Sequence, residues 1–300
     1  MSLTIICGAT ATGKSELAVL LAQKINAQII NADSMQLYKG MDIGTAKLSE
    51  SERYGIPHYL IDILEISQEA NVAWYQEFAR KKIDELLAAN QNVVVVGGTG
   101  LYIKAILDDL NFPDTDPKVR QKITDEAENL GNEVMHQKLA KLDPAAALAI
   151  PKENIRRVIR ALEVIELTNK PFTANLPRVE SSKYPRAKQF GLVLDRANLD
   201  SKIDKRVEIM WSKGFAREVS MLMTQGLEQS TTAKKALGYS QIISYLNGEC
   251  SEEFAKEETK RTTKAYARRQ QTWFSRDDRI TWLDLDSNTA RLEKLLASIN

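Results

Sequence analysis

The stretch that decides the fold is Gly8-Ala9-Thr10-Ala11-Thr12-Gly13-Lys14-Ser15, which matches the pattern G-x-x-x-x-G-K-[ST] in full. It follows a β-branched run, Thr4-Ile5-Ile6, and precedes a segment, residues 17–25, with apolar side chains at helical spacing. Strand, glycine-rich loop and helix in this order predict a P-loop, whose backbone N–H groups and helix N-terminus face an anionic phosphate. Lys14 would neutralise phosphate charge, and Ser15 would offer an oxygen to Mg²⁺.

The rest of the chain predicts an α/β fold. A second strand, Gln28–Asn31, follows the first helix closely enough to imply a βαβ unit, and Val93–Val96 is typical of a buried parallel strand. From residue 113 to 187 the strand pattern stops and helical spacing prevails. We therefore predict a P-loop NTPase-like parallel sheet flanked by helices, formed by residues 1–112 plus 188–300, with an inserted all-helical domain at 113–187.

Composition excludes several classes of protein. The 300 residues are 43% hydrophobic and 27% charged, and no apolar run reaches the roughly 18 residues of a membrane span. The N-terminus carries no recognisable export signal, and Cys7 and Cys250 match no zinc or CxxC spacing. We expect a cytoplasmic monomer without a membrane segment or a structural metal.

The net charge of +1 conceals an asymmetry along the chain. Residues 1–150 carry 14 Lys and Arg against 20 Asp and Glu, whereas residues 151–300 carry 27 against 20. Residues 259–276 contain six basic side chains and no acid. The second half could therefore contact a phosphate backbone, although a solvated helix face is the alternative explanation of the same pattern.

Two further positions are candidates for chemistry beside the phosphate. Asp33 follows the second strand and should lie on the same edge of the sheet as the P-loop, although a helix-cap aspartate would show the same spacing. Thr99 stands between glycines after Val93–Val96, where a tight turn is the alternative. That strand ends without the Asp that usually holds Mg²⁺ in P-loop hydrolases and kinases, which weakens the ATPase interpretation.

Together these pieces resemble the tRNA dimethylallyltransferase family, the isopentenyl transferases of tRNA. Besides the P-loop, the resemblance rests on NADSMQLY at 31–38, MDIGTAK at 41–47, GGTGLY at 97–102, DPKVR at 116–120, RRVIRALEV at 156–164 and ARRQQTWF at 267–274. Because the chain stops at Asn300 without the C-terminal zinc finger of eukaryotic relatives, it resembles the bacterial type.

The resemblance implies a prenyl transfer. A dimethylallyl group would pass from dimethylallyl diphosphate to N6 of adenosine 37 in tRNAs that read codons beginning with U, giving N6-(dimethylallyl)adenosine and diphosphate. By the family pattern Asp33 is the general base, Thr99 and Lys14 are also catalytic, and Mg²⁺ is shared between Ser15 and the diphosphate. Residues 8–15 and Arg206 would hold the diphosphate, although Lys202 stands where the family more often has an arginine.

The resemblance also implies a tRNA partner, with the insertion at 113–187 gripping the anticodon stem-loop. The residues it assigns to tRNA are Asp33, Ser34, Met35, Gln36, Thr99, Arg120, Arg156, Arg157, Val158, Ile159, Arg160, Lys235, Gly238, Tyr239, Arg268, Arg269, Gln270 and Trp273. Three alternatives remain: a P-loop kinase of a small nucleotide or metabolite, a prenyltransferase acting on free adenine nucleotides, and a non-catalytic RNA-binding module.

Overall fold

The computed structural model describes residues 1–175, 182–284 and 287–299. It divides into two compact units, one of Met1–Leu107 with Tyr184–Asn300 and one of Asp108–Lys183. The insertion boundaries expected from the sequence, 113 and 187, lie four or five residues from these divisions. None of the helices in the described ranges is long and apolar enough to cross a membrane.

The larger unit is built on a six-stranded sheet in which every neighbouring pair of strands is parallel. The strands are β1 Leu3–Gly8, β2 Ala27–Asn31, β3 His58–Tyr59, β4 Asn92–Val96, β5 Lys188–Leu192 and β6 Ile280–Leu283. Their order across the sheet is β3-β2-β4-β1-β5-β6, so β4 lies between the two strands of the first βαβ unit. The predicted fold class, an α/β protein with a parallel sheet flanked by helices, is confirmed.

Helices cover both faces of this sheet. They are α1 Lys14–Ile25, α2 Val72–Ala88, α3 Gly100–Leu107, α7 Arg196–Ser212, α8 Phe215–Met223, α9 Tyr239–Leu246, α10 Glu252–Phe274 and α11 Asn288–Ile299, with short 3-10 helices at Ser51–Arg53, Leu227–Gln229 and Ala233–Lys235. Side chains alternate along β1, so Ile5 joins the core under α2 while Ile6 joins the core under α1 and α11. Both faces are therefore apolar, as a central parallel strand requires.

The smaller unit is helical among its described residues, with α4 Pro117–Leu142, α5 Pro144–Ala149, α6 Ile155–Thr168 and a 3-10 helix at Phe172–Asn175. Asp116 caps α4 by accepting from two backbone N–H groups, and Pro117 occupies the first turn. The helical run is interrupted twice, since Gly131 has non-helical dihedral angles and Asp143 separates α4 from α5.

The sequence does not predict the strand β3 or the helix α11 of the larger unit. The strand β3 is only two residues long, too short for a period of two to show. The helix α11 follows β6 at the end of the chain, and it buries Leu292 and Leu295 against the core that also contains Leu17 and Leu21 of α1. It therefore completes the layer on which the P-loop helix rests.

Candidate functional site

The P-loop occupies the turn from β1 into α1. Gly8 ends the strand with a φ of 134°, and a Cβ there would stand 2.6 Å from the carbonyl oxygen of Leu192, so only glycine fits. Within the loop, the carbonyl oxygen of Ala9 accepts from Thr12 Oγ1 at 2.9 Å and from Lys14 Nζ at 2.5 Å. The loop thus forms where the motif predicts it, with Lys14 opening the helix.

A cavity of about 330 Å³ opens over this loop. Polar and charged residues around it include Thr10, Lys14, Ser15, Asn31, Asp33, Ser34, Gln36, Arg206, Lys235, Tyr266, Arg269 and Gln270, and apolar residues include Met35, Ile203, Val207, Met210, Ala236 and Leu237. It lies at the carboxyl ends of β1, β2 and β4, where parallel sheets bind their ligands. Its volume is within the range of small-molecule sites.

Two cations, Lys14 and Arg206, line the cavity beside the P-loop. Burial lowers the pKa of Lys14 to about 8, and nearby Arg206 adds to this effect, whereas Asp33 opposes it. Burial also lowers the pKa of Arg206. Arg206 lines the cavity with Lys14, but Lys202, one turn earlier on α7, is exposed and lines only a surface depression that Arg206 also borders. The structure thus places Arg206, and not Lys202, beside the P-loop.

Asp33 is held on the cavity wall by its own loop. Its Oδ1 accepts from the backbone N–H of Met35 at 2.9 Å, and its backbone N–H donates to Asn31 Oδ1 at 3.0 Å. Asn31 Nδ2 donates to the carbonyl oxygen of Asp33 at 2.9 Å, and Tyr75 Oη donates to the Asn31 carbonyl at 2.8 Å. These bonds fix the carboxylate, and its second oxygen, Oδ2, has no hydrogen bond to any residue in the described ranges.

Thr99 joins the Asp33 loop to the end of β4. Its Oγ1 accepts from the backbone N–H of Ser34 at 3.1 Å, and its own N–H donates to the Ala32 carbonyl at 3.2 Å. Gly97 permits this approach, since a Cβ there would stand 2.1 Å from the Ala32 oxygen. These hydrogen bonds tie the Asp33 loop to the end of β4. Thr99 itself is not among the residues that line the cavity, and its contact with reacting atoms stays a prediction.

Gln270 and Tyr266 on α10 complete the wall. Gln270 is buried; its Oε1 accepts from the backbone N–H of Thr10 at 2.8 Å, and its Nε2 donates to the Gly98 carbonyl at 2.8 Å. Burial and nearby Asp33 raise the pKa of Tyr266 to about 12, while hydrogen bonds with Thr99 and Gln270 act in the other direction. Sequence reasoning missed Tyr266 altogether, although it lies one residue before the ARRQQTWF motif.

The other α10 residues assigned to tRNA are accessible. Trp273 is 42% exposed and its ring packs on Gly100, and Arg269 lines the cavity with its guanidinium 5.6 Å from the centroid of the Tyr266 ring. Arg268 is half-exposed and lies 4.0 Å from a carboxylate oxygen of Asp200. Lys235 is exposed at the cavity rim.

Acidic side chains neutralise much of the positive charge that the sequence shows at residues 259–276. Lys260 pairs with Glu208 of α7 and with Glu257, Lys264 pairs with Asp204 of α7, and Arg261 pairs with Glu258. The first half of α10 is thus neutralised, partly by acids some 50–60 residues away in the chain. At the other end of α10, Arg268 has only the 4.0 Å contact with Asp200, and Arg269 lines the cavity, so the remaining positive charge of the helix lies there.

Three of the residues assigned to tRNA have packing roles. Val158 is buried in the core of the smaller unit, so its side chain offers an RNA no surface. Tyr239 is buried, packs edge-on against Phe215 and donates to Glu218 Oε1 at 2.7 Å, and Gly238 is buried against the same Phe215 ring. Core packing already occupies the side chains of Val158 and Tyr239, and the assignment of these two residues to tRNA stays a prediction.

Within the smaller unit, two of the arginines assigned to tRNA share one buried carboxylate. Glu163 Oε2 accepts from Arg120 Nη2 at 2.6 Å and from Arg160 Nη1 at 2.9 Å, and the Glu163 side chain is 0% exposed. Arg156 and Arg157 are exposed on the same helix, and Ile159 is half-buried against its core. Arg156 and Arg157 are thus the solvent-exposed arginines of α6, whereas Arg160 is paired with Glu163.

Fold and cavity together define a P-loop protein of the α/β class, with the P-loop and the fixed carboxylate of Asp33 on one cavity. Family comparison carries this further: the chain belongs to the IPP transferase family, whose model matches residues 36–277. The resemblance to the tRNA dimethylallyltransferases is confirmed.

Individual proteins similar to this chain carry names from the same family. A tRNA dimethylallyltransferase of Thermobifida fusca is 53% identical, over 94% of this chain and 89% of its own length, and one of Streptomyces griseus is 51% identical, over 93% and 88%. Among solved structures, a tRNA isopentenylpyrophosphate transferase of Staphylococcus epidermidis superposes with a TM-score of 0.74 at 34% identity, covering 100% of this chain and 99% of its own. A eukaryotic dimethylallyltransferase described as acting on tRNA gives 0.80 at 28%, covering 95% and 74%.

Proposed function

We propose that the protein transfers a dimethylallyl group from dimethylallyl diphosphate to N6 of adenosine 37 in tRNAs that read codons beginning with U. The observation that carries this proposal is that Lys14 of the P-loop, Arg206 of α7 and the fixed carboxylate of Asp33 line one cavity. Family membership and relatives named for this reaction support it over the kinase and free-nucleotide alternatives.

The donor fits the phosphate end of the cavity. Its diphosphate would accept from the P-loop N–H groups, Lys14 and Arg206, and its five-carbon chain would lie against the apolar side chains of Ile203, Val207 and Met210. Because Arg206 offers a planar fork of donors, it can bind two diphosphate oxygens at once. Cations in this position stabilise the negative charge that grows on the leaving group.

The acceptor adenine would enter the cavity beside Asp33. Its exocyclic amine is a weak nucleophile because the ring delocalises its lone pair. As the N6–C1 bond forms, the C1–O bond breaks, its electron pair leaves with diphosphate, and the N6 proton passes to the Asp33 carboxylate. Since adenine inside a stacked anticodon loop cannot reach this depth, the base must be flipped out of the stack.

Mg²⁺ is the metal that this site suits best. In the described ranges no three His, Cys, Asp or Glu residues cluster as a metal cage. The hydroxyl of Ser15 nevertheless lines the cavity beside Lys14, and Mg²⁺ commonly binds through one or two protein oxygens together with substrate phosphates and water. Ser15 and the diphosphate oxygens would hold the ion, which when bound would neutralise charge on the departing diphosphate.

We further propose that tRNA is bound by the exposed cations of both units. On α10, Arg269 lines the cavity and Arg268 and Trp273 are exposed, while Arg156 and Arg157 are exposed on α6. Basic side chains position the phosphate backbone, and an exposed indole can stack on an unpaired base. The monomeric, cytoplasmic form expected from the sequence stays part of this proposal.

Two parallel incubations test the function. In one, the protein is mixed with Mg²⁺, dimethylallyl diphosphate, unmodified tRNA and AMP as a competing acceptor, and the nucleosides are analysed by mass spectrometry. The other contains ATP, and its consumption is measured. We expect an adenosine heavier by one C5 unit in the tRNA and none in AMP. ATP consumption without tRNA modification would favour the kinase, and modified AMP would favour the free-nucleotide enzyme.

A further inference from the structure

The C-terminal helix α11 lies beyond residue 277, where the match to the family model ends, yet it contacts the P-loop. Leu292 and Leu295 anchor it in the core shared with α1. Its first turn then reaches the two residues that precede Lys14. An element outside the matched segment therefore forms part of the phosphate site's support.

Two polar side chains of α11 make these contacts. Arg291 is 2% exposed, and its Nη1 donates to the Thr12 carbonyl at 2.9 Å and to Asn288 Oδ1 at 3.1 Å. Asn288 Nδ2 donates to the Gly13 carbonyl at 3.3 Å and to Glu16 Oε2 at 2.8 Å. Consecutive carbonyl groups of the loop are thus held by one helix.

Holding these carbonyls fixes the direction of the donors that follow them. In a planar trans peptide, the C=O of one residue and the N–H of the next point in opposite directions. When α11 binds the carbonyls of Thr12 and Gly13, the N–H groups of Gly13 and Lys14 are turned away from α11. These are the backbone donors that a P-loop uses to bind phosphate.

We propose that Arg291 and Asn288 are positioning residues that preset the P-loop for diphosphate. Arg291 also stabilises the bound state by placing a buried guanidinium behind the loop that receives the anion. The inference rests on the proposed function only in taking diphosphate as the ligand of the P-loop. Neither side chain is among those that line the cavity, so both act through the loop.

Binding of inorganic diphosphate, followed by calorimetry on the full chain with Mg²⁺, tests the proposal. Arg291→Met should raise the Kd for diphosphate about tenfold, since a hydrogen bond from a charged donor is lost. Arg291→Lys should recover part of the affinity because one ammonium can reach only one carbonyl. Asn288→Ala, at a partly exposed position, should raise the Kd about threefold and decides the matter if Arg291→Met fails to fold.

The matched control is Leu295→Ala, which weakens the packing of α11 without touching the loop. At an equal loss of stability it should leave the Kd for diphosphate within about twofold. In all variants the Kd for tRNA and the kcat at saturating donor should stay near wild type, while the donor KM follows the diphosphate Kd. A role in folding alone would lower the active fraction without changing the donor KM.

Two results would overturn the inference: wild-type diphosphate affinity in both Arg291→Met and Asn288→Ala, or an equal loss in Leu295→Ala. The proposed function fails separately, if the wild-type protein binds diphosphate but adds no C5 unit to tRNA. In that case the positioning role is still decided by the calorimetry.

Discussion

Replacing Gln270 by methionine removes the link between the P-loop and the end of β4 while keeping the length of the side chain. The backbone N–H of Thr10 and the carbonyl of Gly98 each lose a 2.8 Å hydrogen bond. A buried backbone group left unpaired costs about 1–3 kcal/mol, which applies in full to the Gly98 carbonyl and only in part to the half-buried N–H of Thr10. Part of this loss should appear as reduced stability and part as weaker donor binding, because Thr10 lines the cavity.

The assay measures prenyl transfer at varied donor concentration, and tRNA binding by filter retention. For Gln270→Met we expect kcat/KM for dimethylallyl diphosphate to fall at least about tenfold, equivalent to 1.4 kcal/mol, with the Kd for tRNA within about twofold of wild type. Gln271→Met is the matched control, since Gln271 is the adjacent, exposed glutamine. If Gln270→Met instead weakened tRNA and left the donor kinetics unchanged, Gln270 would be the tRNA contact that the family resemblance implies.

Three further predictions concern single charged side chains. Because the pKa of Lys14 is lowered to about 8, the free protein loses this proton as pH rises through 8, so the affinity for the donor should fall from pH 7 to 9. Calorimetry on Lys14→Arg, which stays charged, should show no such pH dependence. Arg206→Met should raise the donor KM, whereas Lys202→Met should not; the reverse would move the diphosphate contact to Lys202. Glu163→Gln leaves Arg120 and Arg160, both partly exposed, without their carboxylate, and it should lower the free energy of unfolding in urea by about 2–4 kcal/mol. A change under about 0.5 kcal/mol would contradict the role of this buried carboxylate in stability.

Local patterns account for the part of the fold that the sequence predicts. The P-loop, the parallel strands and the helical insertion each show in a short window, through β-branched runs, glycine spacing or a 3.6-residue period. Asp33 could be placed at the cavity because all parallel strands bring their carboxyl ends to one edge.

The features that the sequence does not predict depend on contacts between segments far apart in the chain. Gln270 binds Thr10 across 260 residues and Arg291 binds Thr12 across 279, and no local pattern records such a pairing. The same reason applies to Lys264, whose charge is balanced by Asp204, 60 residues earlier. A motif likewise does not separate residues that touch a ligand from those that hold the fold, as the buried Val158 shows.

The most direct test of the central claim is the single-turnover rate of prenyl transfer by Asp33→Asn, measured with saturating tRNA and dimethylallyl diphosphate. Asparagine keeps the size of the side chain and an oxygen that can accept from the N–H of Met35, but it cannot take up the N6 proton. We predict a rate lower by at least about a hundredfold, with the Kd values for tRNA and diphosphate near wild type. Transfer at the wild-type rate would contradict the assignment of Asp33 as the base.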